Sequence, residues 1–146
     1  MKNFDEIYLI SCVAKKLEGT HEAWKLYSPS TLFKAHWNWA LKKAKDPSKI
    51  FILSAKHELI SPFKKITKYD LTLKNMSKTD KINWTNNVIN QLQNKFDLNK
   101  TKFIILAGRD YYEYLIQRLP YYELVPNKPL PIGKRVQWFQ EQLKKL

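Results

Sequence analysis

Three stretches of the chain are apolar almost without a break: Ile7-Tyr8-Leu9-Ile10-Ser11-Cys12-Val13, Ile50-Phe51-Ile52-Leu53-Ser54-Ala55 and Lys102-Phe103-Ile104-Ile105-Leu106-Ala107. They are rich in β-branched and aromatic residues and do not alternate apolar with polar positions. This is the pattern of strands covered on both faces, as in a parallel sheet between helices. A shorter run, Tyr122-Glu123-Leu124-Val125, predicts an edge strand. Ser28-Pro29-Ser30-Thr31 reads as a helix start, with Phe33, Trp39, Ala40 and Leu41 at helical spacing up to about Lys45. Ser77 or Thr79 can cap a second long helix, whose inner stripe is Ile82, Val88, Ile89, Leu92 and Phe96. Further helices are predicted from about Asp110 to Arg118 and from about Ile132 to Leu146. Residues 14–27 read as a polar loop, and residues 57–76 as an irregular stretch too long for a plain connection, hence a candidate functional loop.

Strand and helix thus alternate from end to end. The pattern predicts one α/β domain over residues 1–146: three layers, a mostly parallel four-stranded sheet and helices on both faces. In open sheets of this kind ligands sit at the carboxyl ends of the strands. The strand tails are therefore the candidate site: Cys12, Lys15 and Lys16 after the first, Ser54, Lys56 and His57 after the second, Gly108 and Arg109 after the third, and Lys128 after the fourth.

Composition narrows the class. With 44% apolar and 14% aromatic residues in 146, the chain can bury a core. No apolar run is long enough to span a bilayer, and the polar start Met1-Lys2-Asn3-Phe4-Asp5-Glu6 lacks a leader's apolar region, so a cytoplasmic location without membrane attachment is expected. The single cysteine, Cys12, excludes an internal disulfide framework and a multi-cysteine zinc site. His21 and His36 read as a loop and a helix-surface residue, so neither a metal nor a cofactor is expected. Charge changes the picture most: 23 lysines and three arginines against 13 acidic residues give a net +13. Such an excess suits a polyanion, and lysine reads phosphate backbone rather than base edges. A solvated lysine face without a ligand is the competing reading.

Each candidate carries a role by its chemistry. Lys15, Lys16, Lys56, Arg109 and Lys128 are candidates for binding phosphate or nucleic acid. His57 can donate a proton or a hydrogen bond, and Asp70 can stabilise an oxocarbenium-like centre or orient water. Tyr27, Tyr69 and Tyr111 lie where an unpaired base could stack, and Cys12, Ser54 and Gly108 leave room for close approach. Ordinary readings stand beside these: exposed lysines, an Asx turn at Asp70, and core packing for Trp37, Trp39, Trp84 and Trp138.

Six ordered blocks carry a family resemblance: Cys12-Val13-Ala14-Lys15-Lys16, Leu26 through Phe33, Ile52 through Ile60, Tyr69-Asp70-Leu71-Thr72-Leu73, Ala107-Gly108-Arg109-Asp110-Tyr111-Tyr112, and Ile132 through Trp138. Together they resemble a family of small bacterial and phage proteins known as domain of unknown function 6884. More distantly, the Cys-x-x-Lys-Lys strand end and the Ser-Ala-Lys-His turn are similar to peroxide-stress proteins of the YaaA type and to uracil-DNA-glycosylase-like domains. That likeness implies handling of nucleic acid. Where the family has a glycine-rich stretch before its last helix, this chain has the shortened Pro129-Leu130-Pro131-Ile132-Gly133.

The expected function is a nucleic-acid-processing enzyme acting on a base or nucleotide, a DNA glycosylase for a modified base being one such enzyme, with DNA ahead of RNA as partner. The alternatives are a non-catalytic DNA- or RNA-binding protein of stress response or phage defence, and a small nucleotide-metabolising enzyme.

Overall fold

The computed structural model describes residues 4–146; the start at Met1, Lys2 and Asn3 lies outside them. In chain order the elements are β1 (Asp5–Ser11), β2 (Thr20–Glu22), α1 (Ala23–Leu26), α2 (Thr31–Ala44), β3 (Ile50–Ser54), β4 (Glu58–Ile60), β5 (Lys65–Thr67), α3 (Lys78–Lys95), β6 (Thr101–Leu106), α4 (Arg109–Tyr112), β7 (Tyr122–Leu124) and α5 (Ile132–Lys144).

The central sheet runs in the order β4-β3-β1-β6-β7. All pairings are parallel except β3 with β4. Five strands therefore replace the four expected. The fifth, β4, lies in the stretch expected to be irregular: Lys56 and His57 turn the chain back so that Leu59 pairs with Leu53. Three residues are too short a run for periodicity to register. Glu58 enters β4 at φ +63°, a left-handed conformation uncommon for a side-chain-bearing residue. Its carboxylate accepts from Asn87 Nδ2 at 2.6 Å and Gln91 Nε2 at 2.8 Å, and Gln91 in turn accepts from the Leu59 N–H, so α3 holds the turn in place.

Successive strand residues face opposite helical layers. Tyr8 packs edge-on against Trp39 of α2, which meets Phe139 of α5. On the other face Phe51 and Phe103 both meet Phe96, just past α3. Leu9, Ile10, Ile52, Leu53 and Phe103 have no exposed surface. Burying a side chain of this size contributes about 1.5–3 kcal/mol, so this row dominates the fold energetically.

The caps follow the chemistry of the chain. Ser30 accepts from the Phe33 N–H to start α2, Lys45 ends it at φ 62°, and Ser77 accepts from the Asp80 N–H to start α3. The helix expected from about Asp110 to Arg118 is shorter: α4 ends at Tyr112, and only a 3-10 turn at Ile116–Arg118 follows. The loop expected over residues 14–27 contains β2 and α1. Here β2 pairs antiparallel with β5, Thr20 opposite Thr67 and Glu22 opposite Lys65. Gly19 makes the preceding turn at φ +83°, and its carbonyl accepts from the Lys68 N–H. The N–H groups of Ala23 and Trp24 donate to the carbonyls of Lys64 and Pro62. The two excursions, one after β1 and one after β4, are thus laced into a single ledge beyond the carboxyl ends of the strands.

Candidate functional site

That ledge brings Tyr69 to the ends of β1 and β3, and the site is built around its side chain. The hydroxyls of Tyr69 and Tyr27 share a hydrogen bond of 2.6 Å, and Tyr69 and Ser54 share another of 2.9 Å. Ser54 Oγ also accepts from the His57 N–H at 2.9 Å, and the Ser54 carbonyl accepts from Trp84 Nε1 at 2.9 Å. Ser54 therefore anchors the chain of hydroxyls to the end of β3. Burial raises the pKa of both phenols, and the nearby Cys12 side chain raises them further, so both stay protonated at neutral pH.

Beside this chain lies a second contact across the sheet. The Cys12 N–H donates to the Leu53 carbonyl, which keeps the segment after β1 against β3. Cys12 Sγ accepts from the Ala55 N–H at 3.4 Å and shares a hydrogen bond of 3.3 Å with the Tyr111 hydroxyl. The crossovers from β1 and β6 leave in opposite directions, so the gap between those strands is the topological switch point of the sheet. The Cys12–Tyr111 pair bridges it.

Cations close over Tyr69. Lys16 Nζ lies 4.4 Å from the centre of its ring and 6.0 Å from that of Tyr27. Lys56 Nζ is 6.0 Å from the Tyr69 ring centre, and the His57 ring meets Tyr69 edge-on at 5.5 Å. Burial lowers the Lys16 pKa against the opposing pull of Cys12 and Asp70, which places the Asp70 carboxylate within the electrostatic reach of that ammonium. Burial, then Lys56 and Lys64, lower the His57 pKa, so the imidazole is neutral at physiological pH. His57 Nε2 is buried and makes no hydrogen bond among the described residues. A neutral ring nitrogen can donate a hydrogen bond to an oxygen or accept a proton from it.

The candidate residues fall into groups. Cys12, Lys16, Tyr27, Ser54, Lys56, His57 and Tyr69 come together, with Tyr111 reaching them through Cys12. Tyr27 is fully buried against Phe33, so it is a hydroxyl in the core wall and offers no open ring face. Lys15 and Asp70 are exposed. Gly108 is the N-cap of α4, and a Cβ there would meet open space. Arg109 is exposed and paired with Glu113 at 3.2 Å, while Asp110 accepts from Lys81. Lys128 lines a separate hollow at the ends of β6 and β7.

His36, expected at the helix surface, is 1% exposed instead. Its Nε2 accepts from Arg135 Nε at 3.1 Å, and its ring packs edge-on against Phe139. Helical spacing puts His36 on the side of Phe33 and Ala40, a signal that outweighs its polarity. Arg135 was visible within the block Ile132 through Trp138, yet nothing in its spacing announced a partner 99 residues away. Among the described residues no three His, Cys, Asp or Glu side chains cluster as metal ligands would, and no helix is long and apolar enough to cross a membrane.

Fold and site define a helix-covered α/β domain with a buried chain of hydroxyls, flanked by Lys16 and Lys56, at the carboxyl ends of its strands. The chain belongs to the family of unknown function DUF6884, whose model matches residues 7–141. No curated protein and no solved structure matches it.

Proposed function

We propose that the mouth around Tyr69 binds a phosphate-bearing unit of nucleic acid and that the protein processes a base or nucleotide there, as a glycosylase for a modified base does. The observation that carries this reading is the gathering of Lys16, Lys56 and the His57 ring around one buried phenol. The lysines receive phosphate oxygens, the neutral His57 hydrogen-bonds the departing group, and Asp70 faces the positive charge that grows on the sugar. A net charge of +13 draws the polyanion to this face. The resemblance of the Ser54-Ala55-Lys56-His57 turn to uracil-DNA-glycosylase-like domains points the same way.

Two measurements test this. Affinity for mixed-sequence DNA and RNA is expected to fall steeply with salt, and Lys16→Ala and Lys56→Ala should each reduce the logarithmic salt slope by about one. Binding without salt dependence removes the nucleic-acid reading. Duplexes carrying uracil, hydroxymethylated or glucosylated bases should yield abasic sites, and Asp70→Asn should abolish turnover while leaving binding intact. An unchanged rate in that variant takes Asp70 out of the mechanism. Binding with no product across the panel leaves the non-catalytic binding protein, a reading that the exposure of Asp70 favours.

A further inference from the structure

Arg135, in the first turn of α5, has no part in the Tyr69 mouth. Its Nε–H donates to His36 Nε2 at 3.1 Å, and its Nη2 donates to the carbonyls of Val125 at 3.1 Å and Ala107 at 3.5 Å. All these acceptors are uncharged, because burial and the Arg135 charge itself hold the His36 pKa down to about 3. Among the described residues Arg135 forms no ion pair, and its Nη1 makes no hydrogen bond. A half-buried guanidinium whose hydrogen-bond partners are all neutral, with the Phe139 ring 5.8 Å away, carries a charge that no acid balances among the described residues, and its free Nη1 fits an anion.

There is a place for one. At the carboxyl ends of β6 and β7 a hollow of about 60 Å³ is lined by Ala107, Tyr112, Asn127, Lys128 and Arg135, among others. Lys128 adds a second positive charge, and Tyr112 and Asn127 bring neutral donors. One water needs about 10–15 Å³ of such space, so the hollow has room for the few atoms of a tetrahedral oxyanion. The free Nη1 of Arg135 suits one oxygen of such a group, and the point charge of Lys128 suits a second. We propose that this hollow is an oxyanion site that takes a phosphoryl group between Arg135 and Lys128. It is separate from the Tyr69 mouth and does not depend on the function proposed there.

Inorganic phosphate and a nucleoside monophosphate, titrated separately into the isotope-labelled full chain, distinguish free phosphate from a nucleotide as the source. The expected result is saturable movement of the Tyr112 and Asn127 amide resonances, with the dissociation constant raised about tenfold by Lys128→Ala or Arg135→Gln, as loss of a charge-assisted contact implies. Saturation by both probes assigns the site to phosphoryl groups in general; saturation by the nucleotide alone assigns it to nucleotide phosphate. Lys16→Ala should leave the response unchanged, which separates this site from the mouth. Lys128 is exposed, so its variant keeps the test decisive even if Arg135→Gln does not fold. No saturable response to either probe, or a response that Lys128→Ala leaves untouched, overturns the proposal and leaves Arg135 as a strut between α5 and the strand ends.

Discussion

Tyr69 is 8% exposed and joins the hydroxyls of Tyr27 and Ser54 while supporting Lys16 on its ring. Removing its oxygen alone leaves the Tyr27 hydroxyl buried without that partner, a penalty of about 1–3 kcal/mol. Tyr69→Phe should therefore lower the denaturant midpoint by the corresponding amount while the ring still seats Lys16. A midpoint equal to that of the unaltered protein shows that the hydroxyl chain does not stabilise the fold. At this scale the chain was only partly legible. Ser54, Lys56 and His57 could be placed at a strand end from their position after an apolar run, but Tyr27 read as loop because the ring that buries it, Phe33, lies on the next helix. Chemistry at a residue shows in the sequence when the backbone alone positions it; it disappears when a distant side chain does the positioning.

At the scale of elements, His36 on α2 and Arg135 on α5 join two helices through a hydrogen bond that needs a neutral imidazole. Burial and then Arg135 lower the His36 pKa from 6.5 to about 3. The folded state binds fewer protons than the unfolded one between these values, so this contribution to stability is complete above pH 6.5 and is lost as the pH falls towards about 3. The loss has a limiting slope of about 1.4 kcal/mol per pH unit. His36→Gln, which retains an acceptor for Arg135 and cannot titrate, should show a flatter stability profile across that range by denaturant unfolding. Parallel profiles for the two proteins mean that His36 is not held neutral. Elements were the most legible scale: the three long strands, the Ser30 cap and the Ser77 cap all follow from local pattern. The strands that pattern missed, β2, β4 and β5, have three residues each, and their pairing is decided by what lies opposite.

For the molecule as a whole, 26 cationic side chains against 13 acidic ones create a repulsion that the fold must overcome. Among the described residues Glu18, Asp110, Glu123 and Glu113 are taken up by ion pairs with Lys68, Lys81, Lys102 and Arg109, so those acids already have local partners. Added salt should raise the thermal midpoint from very low ionic strength up to about 0.15 M, where the screening length shrinks to about 8 Å. A midpoint that falls over the same range shows attractive pairs outweighing the net charge. The parallel α/β architecture was legible at this scale because long apolar strands separated by helices have few other ways to close. The extra edge strand was not, since it rests on the Glu58 carboxylate meeting Asn87 and Gln91 of α3.

That edge strand has a consequence for how molecules of this protein meet one another. The hydrophobic centre of the sheet is flanked by β4 on one side and β7 on the other, each three residues long. A neighbouring polypeptide seeking to add itself to either margin finds little free backbone to copy, and Glu123 on β7 sets a charge in its path. Crowded in solution, such molecules are guarded against fibrillar growth by the brevity of their outermost strands.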